Sequence, residues 1–264
     1  MNQISMAGDV RGASALSHLV DPRRAATEER DHFNIAGSAM TSADAVTASI
    51  LRASLEEFLV AGGRALEYLP PRDAQVDQTL ANLLGAMPAQ CTVSRTSNAP
   101  ARDQFAVAPA SVIRSVDEIE PMVLGIRAIG PYVGLSREES EMAAEASLAF
   151  AVNGLEHASN SPCGVVICAG VDPDDLTLTI AAVDLGEGPP GGRNGEDELR
   201  DAVERSRKVL GGFAQMPQFA ARKGLAIAMH LATGTGEARW NGRWRYGVRQ
   251  NVPGWVSTLA VIRT

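Results

Sequence analysis

Cysteine is scarce, with three thiols, Cys91, Cys163 and Cys168, in 264 residues. Three scattered cysteines build no disulfide framework, and no Cys-x-x-Cys pair is present to begin a structural zinc site. A reducing compartment, the cytoplasm, is the expectation. Basic charge is also in short supply. Lys and Arg number 24 against 31 Asp and Glu, a net charge of -7. A dedicated duplex-DNA binder needs a basic face, so nucleic acid is not an expected partner. Long apolar runs are missing. No stretch approaches the ~20 consecutive apolar residues of a spanning helix, and no membrane partner is expected. No basic head followed by an apolar block opens the chain, as a secretory leader would.

What is present suits an ordinary globular protein. Hydrophobic residues make up 45% and charged residues 21%, enough for a sizeable core. At ~150 residues per domain, the length fits one large or two small domains.

Residues 1–40 show little periodicity and read as a disordered or loose arm that the fold does not need. Residues 41–104 read as a small α/β region of unknown role. Ser42 or Asp44 caps a helix that runs to about Val60 and stops at Gly62-Gly63. A short strand follows to Leu69, then a helix from Asp73, then a weak strand from Cys91 to Ser94. Residues 95–104 read as a linker. Residues 105–264 form the third unit. Ala110 to Ile119 is helix-like, and Met122, Val123, Ile126 and Ile129 make a second apolar set. Ser136 before Glu138 and Glu139 opens a long helix ending near His157. Two β-runs, 164–171 and 176–183, flank the turn signal Asp172-Pro173-Asp174-Asp175. A Gly/Pro cluster at 184–195 precedes helices at about 196–210 and 219–231. Three strands close the chain, with Asn241-Gly242 as a hairpin signal between the first two.

Three separated pieces carry chemistry. Asn153 lies near the end of the long helix, and its amide oxygen can serve a magnesium ion that bridges phosphates. Asp184 follows a strand, where a carboxylate can accept a hydrogen bond from an exocyclic amine and so select adenine. Gly186 and Gly188 let a base approach the backbone. Gly224 and Leu225 open a helix whose free N–H groups suit an anion, with Arg222 and Lys223 beside it. The stretch 189–220 has the length and glycine borders of a lid. His157 reads as a helix-end residue, and Trp240, Trp244, Tyr246 and Trp255 as strand residues.

This order of pieces resembles the GHKL family, the Bergerat ATP-binding fold of histidine kinases and gyrase B-type ATPases. It covers about residues 105–264. Within that family it most resembles the stand-alone anti-sigma-factor serine kinases, whose Asn-Ala-x-x-His-Ala box is matched by Asn153-Gly154-Leu155-Glu156-His157-Ala158. The resemblance implies an α+β fold, a four- or five-stranded mixed sheet covered by helices on one face. It implies ATP and Mg2+ between helices and lid, held by Asn153, Asp184, Gly186, Gly188, Arg222, Lys223, Gly224 and Leu225, with Asn153 as the metal residue. It further implies a regulatory role by phosphotransfer or partner switching with a protein partner, with a homodimer open as an assembly state.

Departures from the family pattern fall at its catalytic end. The family's general-base Glu lies four residues before the Asn, where this chain has Ala149, and a methyl group takes no proton. Glu145 lies a turn earlier still. Arg222 stands at the first Gly of the usual Gly-x-Gly-Leu box, and Gly254-Trp255 where the family has Gly-Thr before the last strand. A non-catalytic module that docks a protein partner is therefore the second reading of the same residues.

Overall fold

A computed structural model describes residues 2–11, 33–63, 66–93, 108–157, 163–172, 177–185, 237–240, 244–250 and 255–261. The chain is α+β. Its first sheet has four strands in sequential order, all parallel: β1 (Asn2–Val10), β2 (Phe33–Ala43), β3 (Leu66–Leu69) and β4 (Cys91–Val93). Helices α1 (Ala45–Val60) and α2 (Ala74–Leu84) connect β2 to β3 and β3 to β4. The second sheet has six strands in the order β5-β6-β7-β10-β9-β8, and every ladder in it is antiparallel. Its strands are β5 (Ala108–Ile113), β6 (Val165–Val171), β7 (Leu178–Asp184), β8 (Glu237–Trp240), β9 (Trp244–Gln250) and β10 (Trp255–Val261). Helices α3 (Ile119–Ile129) and α4 (Arg137–His157) lie between β5 and β6 in the chain.

Sequence and structure differ at two places in the first half. Residues 2–10 and 33–43 are strands, not a loose arm. Ile4, Met6 and Val10 recur at even positions, and Met6, Val10, Ile35 and Met40 are buried. The short alternation is broken by glycine and by shifts in register after Ser5 and Gly8, which hide its period. Residues 12–32 of that arm and the 95–104 linker lie outside the described residues. The second difference is β5, which replaces the helix-like reading of 110–119. Pairing with β6 over Ser111, Val112 and Ile113 overrides local preference. Pro109 is tolerated because β5 is an edge strand.

Helix α1 is the centre of the molecule. Asp44 caps it, accepting from the Thr47 N–H at 3.0 Å, while Thr47 Oγ1 accepts from the Asp44 N–H at 3.3 Å. It is buried on almost every side, from Ala45 to Phe58, as a helix must be when layers cover it all round. One side meets the parallel sheet through Met6, Val10, Ile35 and Met40, and the other meets Val166, Cys168, Ala181 and Val183 of the antiparallel sheet. Polar ties follow the same path. The Thr47 hydroxyl donates to the Val10 carbonyl, and the Ser49 hydroxyl donates to the Ala181 carbonyl at 3.3 Å. Glu56 accepts from Arg52 at 2.8 Å and from Arg114 at 3.0 Å, joining α1 to the end of β5.

The centre of the antiparallel sheet is thus covered on both faces. Every residue of β6 is buried, which accounts for its unbroken apolar run. Helices α3 and α4 cover one face and α1 with α2 take the other, so this six-stranded antiparallel sheet differs from the four- or five-stranded mixed sheet covered on one face that the resemblance implies. At the entry to β6, Gly164 has φ +76° and an added Cβ would meet the Ile113 carbonyl, so only glycine makes that turn without strain.

Candidate functional site

Asp184 is the last residue of β7 and is 6% exposed. Its face of the sheet follows from the strand period of two. Ala181 and Val183 join the core that α1 fills, so Ile180, Ala182 and Asp184 lie on the opposite face, the one α4 covers. Register gives Asp184 two cross-strand neighbours on that face, Val165 of β6 and Trp255 of β10.

Helix α4 reaches the same point. A Cβ on Gly154 would lie 2.7 Å from the Cβ of Val165. Only a bare α-carbon lets the helix sit this low on β6. Val165 is the direct partner of Asp184. The helical turn holding Asn153 and Gly154 therefore lies over the strand end that holds Asp184. Two pieces separated by thirty residues of sequence meet through one valine. Sequence reading named Asn153 and Asp184 but gave Gly154 no role. Its signal was the glycine itself, at a helix position where the family has Ala.

Ala149, one turn before Asn153, is 1% exposed, in a stretch of α4 where Ala146, Phe150 and Ala151 are buried as well. Glu145 lies on the α3–α4 seam, close to Glu141 and Arg127, which form an ion pair at 2.9 Å. Burial first, then the Glu141 charge, pushes the Glu145 carboxyl above the ordinary 4.5, against a lowering pull from Arg127. Its neighbours place it in a structural contact between helices. Gly186, Gly188, Arg222, Lys223, Gly224 and Leu225, together with the lid stretch 189–220, lie outside the described residues. Among the described residues, no group of three or more His, Cys, Asp or Glu side chains is arranged to hold a metal ion. No helix among them is long and apolar enough to cross a membrane. The three cysteines are free.

The chain bears a distant likeness to a solved complex. No family model matches the sequence, and no curated protein does. The crystal structure of the SiaB-SiaC complex from Pseudomonas aeruginosa matches with 10% identity and a TM-score of 0.37, over 60% of this chain and 90% of that chain. A likeness this distant carries no argument about fold or activity.

A polar cluster that sequence reading missed caps the carboxyl end of the parallel sheet. Arg11 Nε donates to Asp9 at 3.0 Å, Arg11 Nη1 reaches Asp172 at 3.4 Å, and the Ser42 hydroxyl donates to Asp9. The Arg11 guanidinium and the Ser42 hydroxyl hold the Asp9 carboxyl down at about 2, from an ordinary 3.8. The Asp172–Arg11 contact ties the β6–β7 turn to the end of β1.

Proposed function

We propose that this chain binds ATP with magnesium at the junction of α4 and the β7 strand end, and that it regulates a protein partner. The observation that carries the reading is the meeting of the Asn153 turn and Asp184 through Gly154 and Val165. A buried carboxylate at a strand end suits the exocyclic amine of adenine, because it accepts hydrogen bonds and donates none. Asn153 supplies an amide oxygen for magnesium, and the glycines after Asp184 leave space for the base. Arg222, Lys223, Gly224 and Leu225, which read in the sequence as a helix start, would hold the phosphates. Magnesium bound there supplies charge neutralisation for the phosphate oxygens. If phosphate is passed on, this chain's contribution is to position ATP and a partner hydroxyl or imidazole. With three free cysteines, the cytoplasm is the compartment we assign.

Ala149 favours a second reading, a pseudo-ATPase whose site serves as a protein-docking scaffold. A buried methyl group at that place offers no general base, a loss worth about 10²–10⁴-fold in rate. Titration with a non-hydrolysable ATP analogue, paired with a turnover assay on homogeneous protein, separates the readings. Binding without turnover fits a nucleotide-dependent regulator. No binding leaves the scaffold, and brisk magnesium-dependent turnover assigns the base to another residue.

A further inference from the structure

We infer that the outward face of α3 docks a second copy of this chain, as an antiparallel helix pair about a two-fold axis at Leu124. The inference is independent of the nucleotide site. Among the described residues, the large apolar side chains left exposed are Val60, Val116, Leu124 and Tyr132. The last three lie in one segment, 116–132, made of α3 and the short 3-10 turns Val116–Glu118 and Gly130–Val133 at its ends. Val116 is 72% exposed and Tyr132 74%. Apolar exposure gathered on one element marks an interaction surface, whereas single exposed apolar residues are ordinary.

The helical period fixes the face. Ile119, Met122, Ile126 and Ile129 form the buried stripe of α3. Leu124 lies opposite the middle of that stripe. Its neighbours three and four residues away are Glu120 and Pro121 before it, and Arg127 and Ala128 after it. Glu120, Pro121 and Ala128 are exposed, and the Arg127 side chain is 41% exposed. Successive residues turn by about 100°, so Glu120 and Arg127 flank Leu124 on one side, and Pro121 and Ala128 flank it on the other.

That arrangement is its own complement. A two-fold axis perpendicular to two facing α3 helices reverses the second helix and keeps each flank of the seam on its own side. Leu124 then meets Leu124 of the copy. Glu120 comes within one residue's rise of Arg127 of the copy, on the same flank, and symmetry repeats the pair. Pro121 meets Ala128 of the copy on the other flank. Val116 and Tyr132, equidistant from Leu124 in the sequence, come level with each other. Arg127 already holds Glu141 through Nη2 at 2.9 Å, and a guanidinium has further N–H donors for a second carboxylate. A parallel pair would instead set Glu120 against Glu120 and Arg127 against Arg127. Charge complementarity thus selects a second copy, and selects its direction.

The test uses the full chain in light scattering and analytical sedimentation, as wild type, Leu124→Arg, Glu120→Arg, Arg127→Glu and Leu124→Cys. Wild type should be a dimer. L124R sets like charges against each other on the axis and should weaken association at least about thirty-fold, as for the loss of a central interface residue. Its Tm and circular dichroism should match wild type, since Leu124 is half exposed. E120R and R127E should each be monomeric alone and should associate when mixed in equal amounts, because each supplies the charge the other lacks. L124C should form a disulfide-linked dimer under mild oxidation, while wild type and Val60→Cys should not. A monomeric wild type overturns the inference, whatever else covers the face. A dimer that survives L124R unchanged overturns it too, as does failure of folded E120R and R127E to associate on mixing. Should R127E fail to fold for want of its Glu141 contact, L124R and the L124C cross-link decide the matter.

Discussion

In the proposed site Asp184 and Gly154 matter through opposite properties, one by a buried carboxyl group and the other by the absence of a side chain. Asp184→Asn keeps the shape and exchanges an acceptor-only group for a mixed amide. The loss of one charge-assisted bond costs about 1.5–3 kcal/mol, so ATP affinity should fall roughly ten- to a hundred-fold by calorimetry. Gly154→Ala forces a methyl to within 2.7 Å of Val165. Overpacking of this kind costs ~1–3 kcal/mol, of which the better helix preference of alanine returns ~1. A drop of a few degrees in Tm and weaker nucleotide binding should appear together. Ala149→Glu, which places a glutamate where the GHKL pattern has one, meets a site that is 1% exposed. We expect it to lower Tm without producing turnover, because burying an unpaired carboxylate is costly. Turnover gained at unchanged Tm would show that the residue opens onto solvent or ligand. Sequence alone marked Asn153, Asp184 and Ala149, since they are departures from or matches to a spaced pattern. It did not mark Gly154 or the partner position of Trp255, because both depend on which strand lies beside which.

Helix α1 shows what was legible at the scale of elements. A cap at Ser42 or Asp44, a stop at Gly62-Gly63 and the following helix at Asp73 are written in local chemistry, and the structure decides the cap for Asp44. Nothing local said that α1 would be shared between two sheets. Its small residues Ala45, Ala48, Ser49, Ala53 and Ser54 are buried along with Ile50, Leu51, Leu55 and Phe58, a pattern without one dominant stripe. Strand β5 was misread for a related reason, since its pairing with β6 is a long-range contact. Glu56 gives an element-scale test. It holds Arg52 and Arg114 and so fastens α1 to β5. Glu56→Ala should cost about 1.5–3 kcal/mol, the range for hydrogen bonds to charged groups. Glu56→Gln should cost less. Equal stability of all three chains in urea would mean that the fastening contributes nothing.

At the scale of the whole molecule, residues 2–10 and 33–43 change the account of the N-terminus. A chain starting at Thr41 would lose β1 and most of β2, and with them the buried Met6, Val10, Ile35 and Met40. Each large apolar side chain contributes ~1.5–3 kcal/mol on burial, against a total stability of about 5–15. The truncated chain should therefore lack a cooperative thermal transition. One that melts within a few degrees of the full chain would return these residues to the status of an arm. The same strand end sets an acid limit. Asp9 titrates at about 2 in the folded chain against an ordinary 3.8. Its contribution is complete above pH ~4 and is lost as pH falls from there through about 2. Asp9→Asn should flatten the pH dependence of Tm in that window and leave neutral stability little changed, since Asp9 and Arg11 are both well exposed.

The nucleotide site stands or falls on a titration of the full chain and of Asp184→Asn with ATP in the presence of magnesium, with GTP as the competing ligand. Saturable binding of ATP, preferred over GTP and weakened ten- to a hundred-fold by the single substitution, is the expected result. No binding at millimolar ATP, or identical isotherms for the two chains, would contradict it.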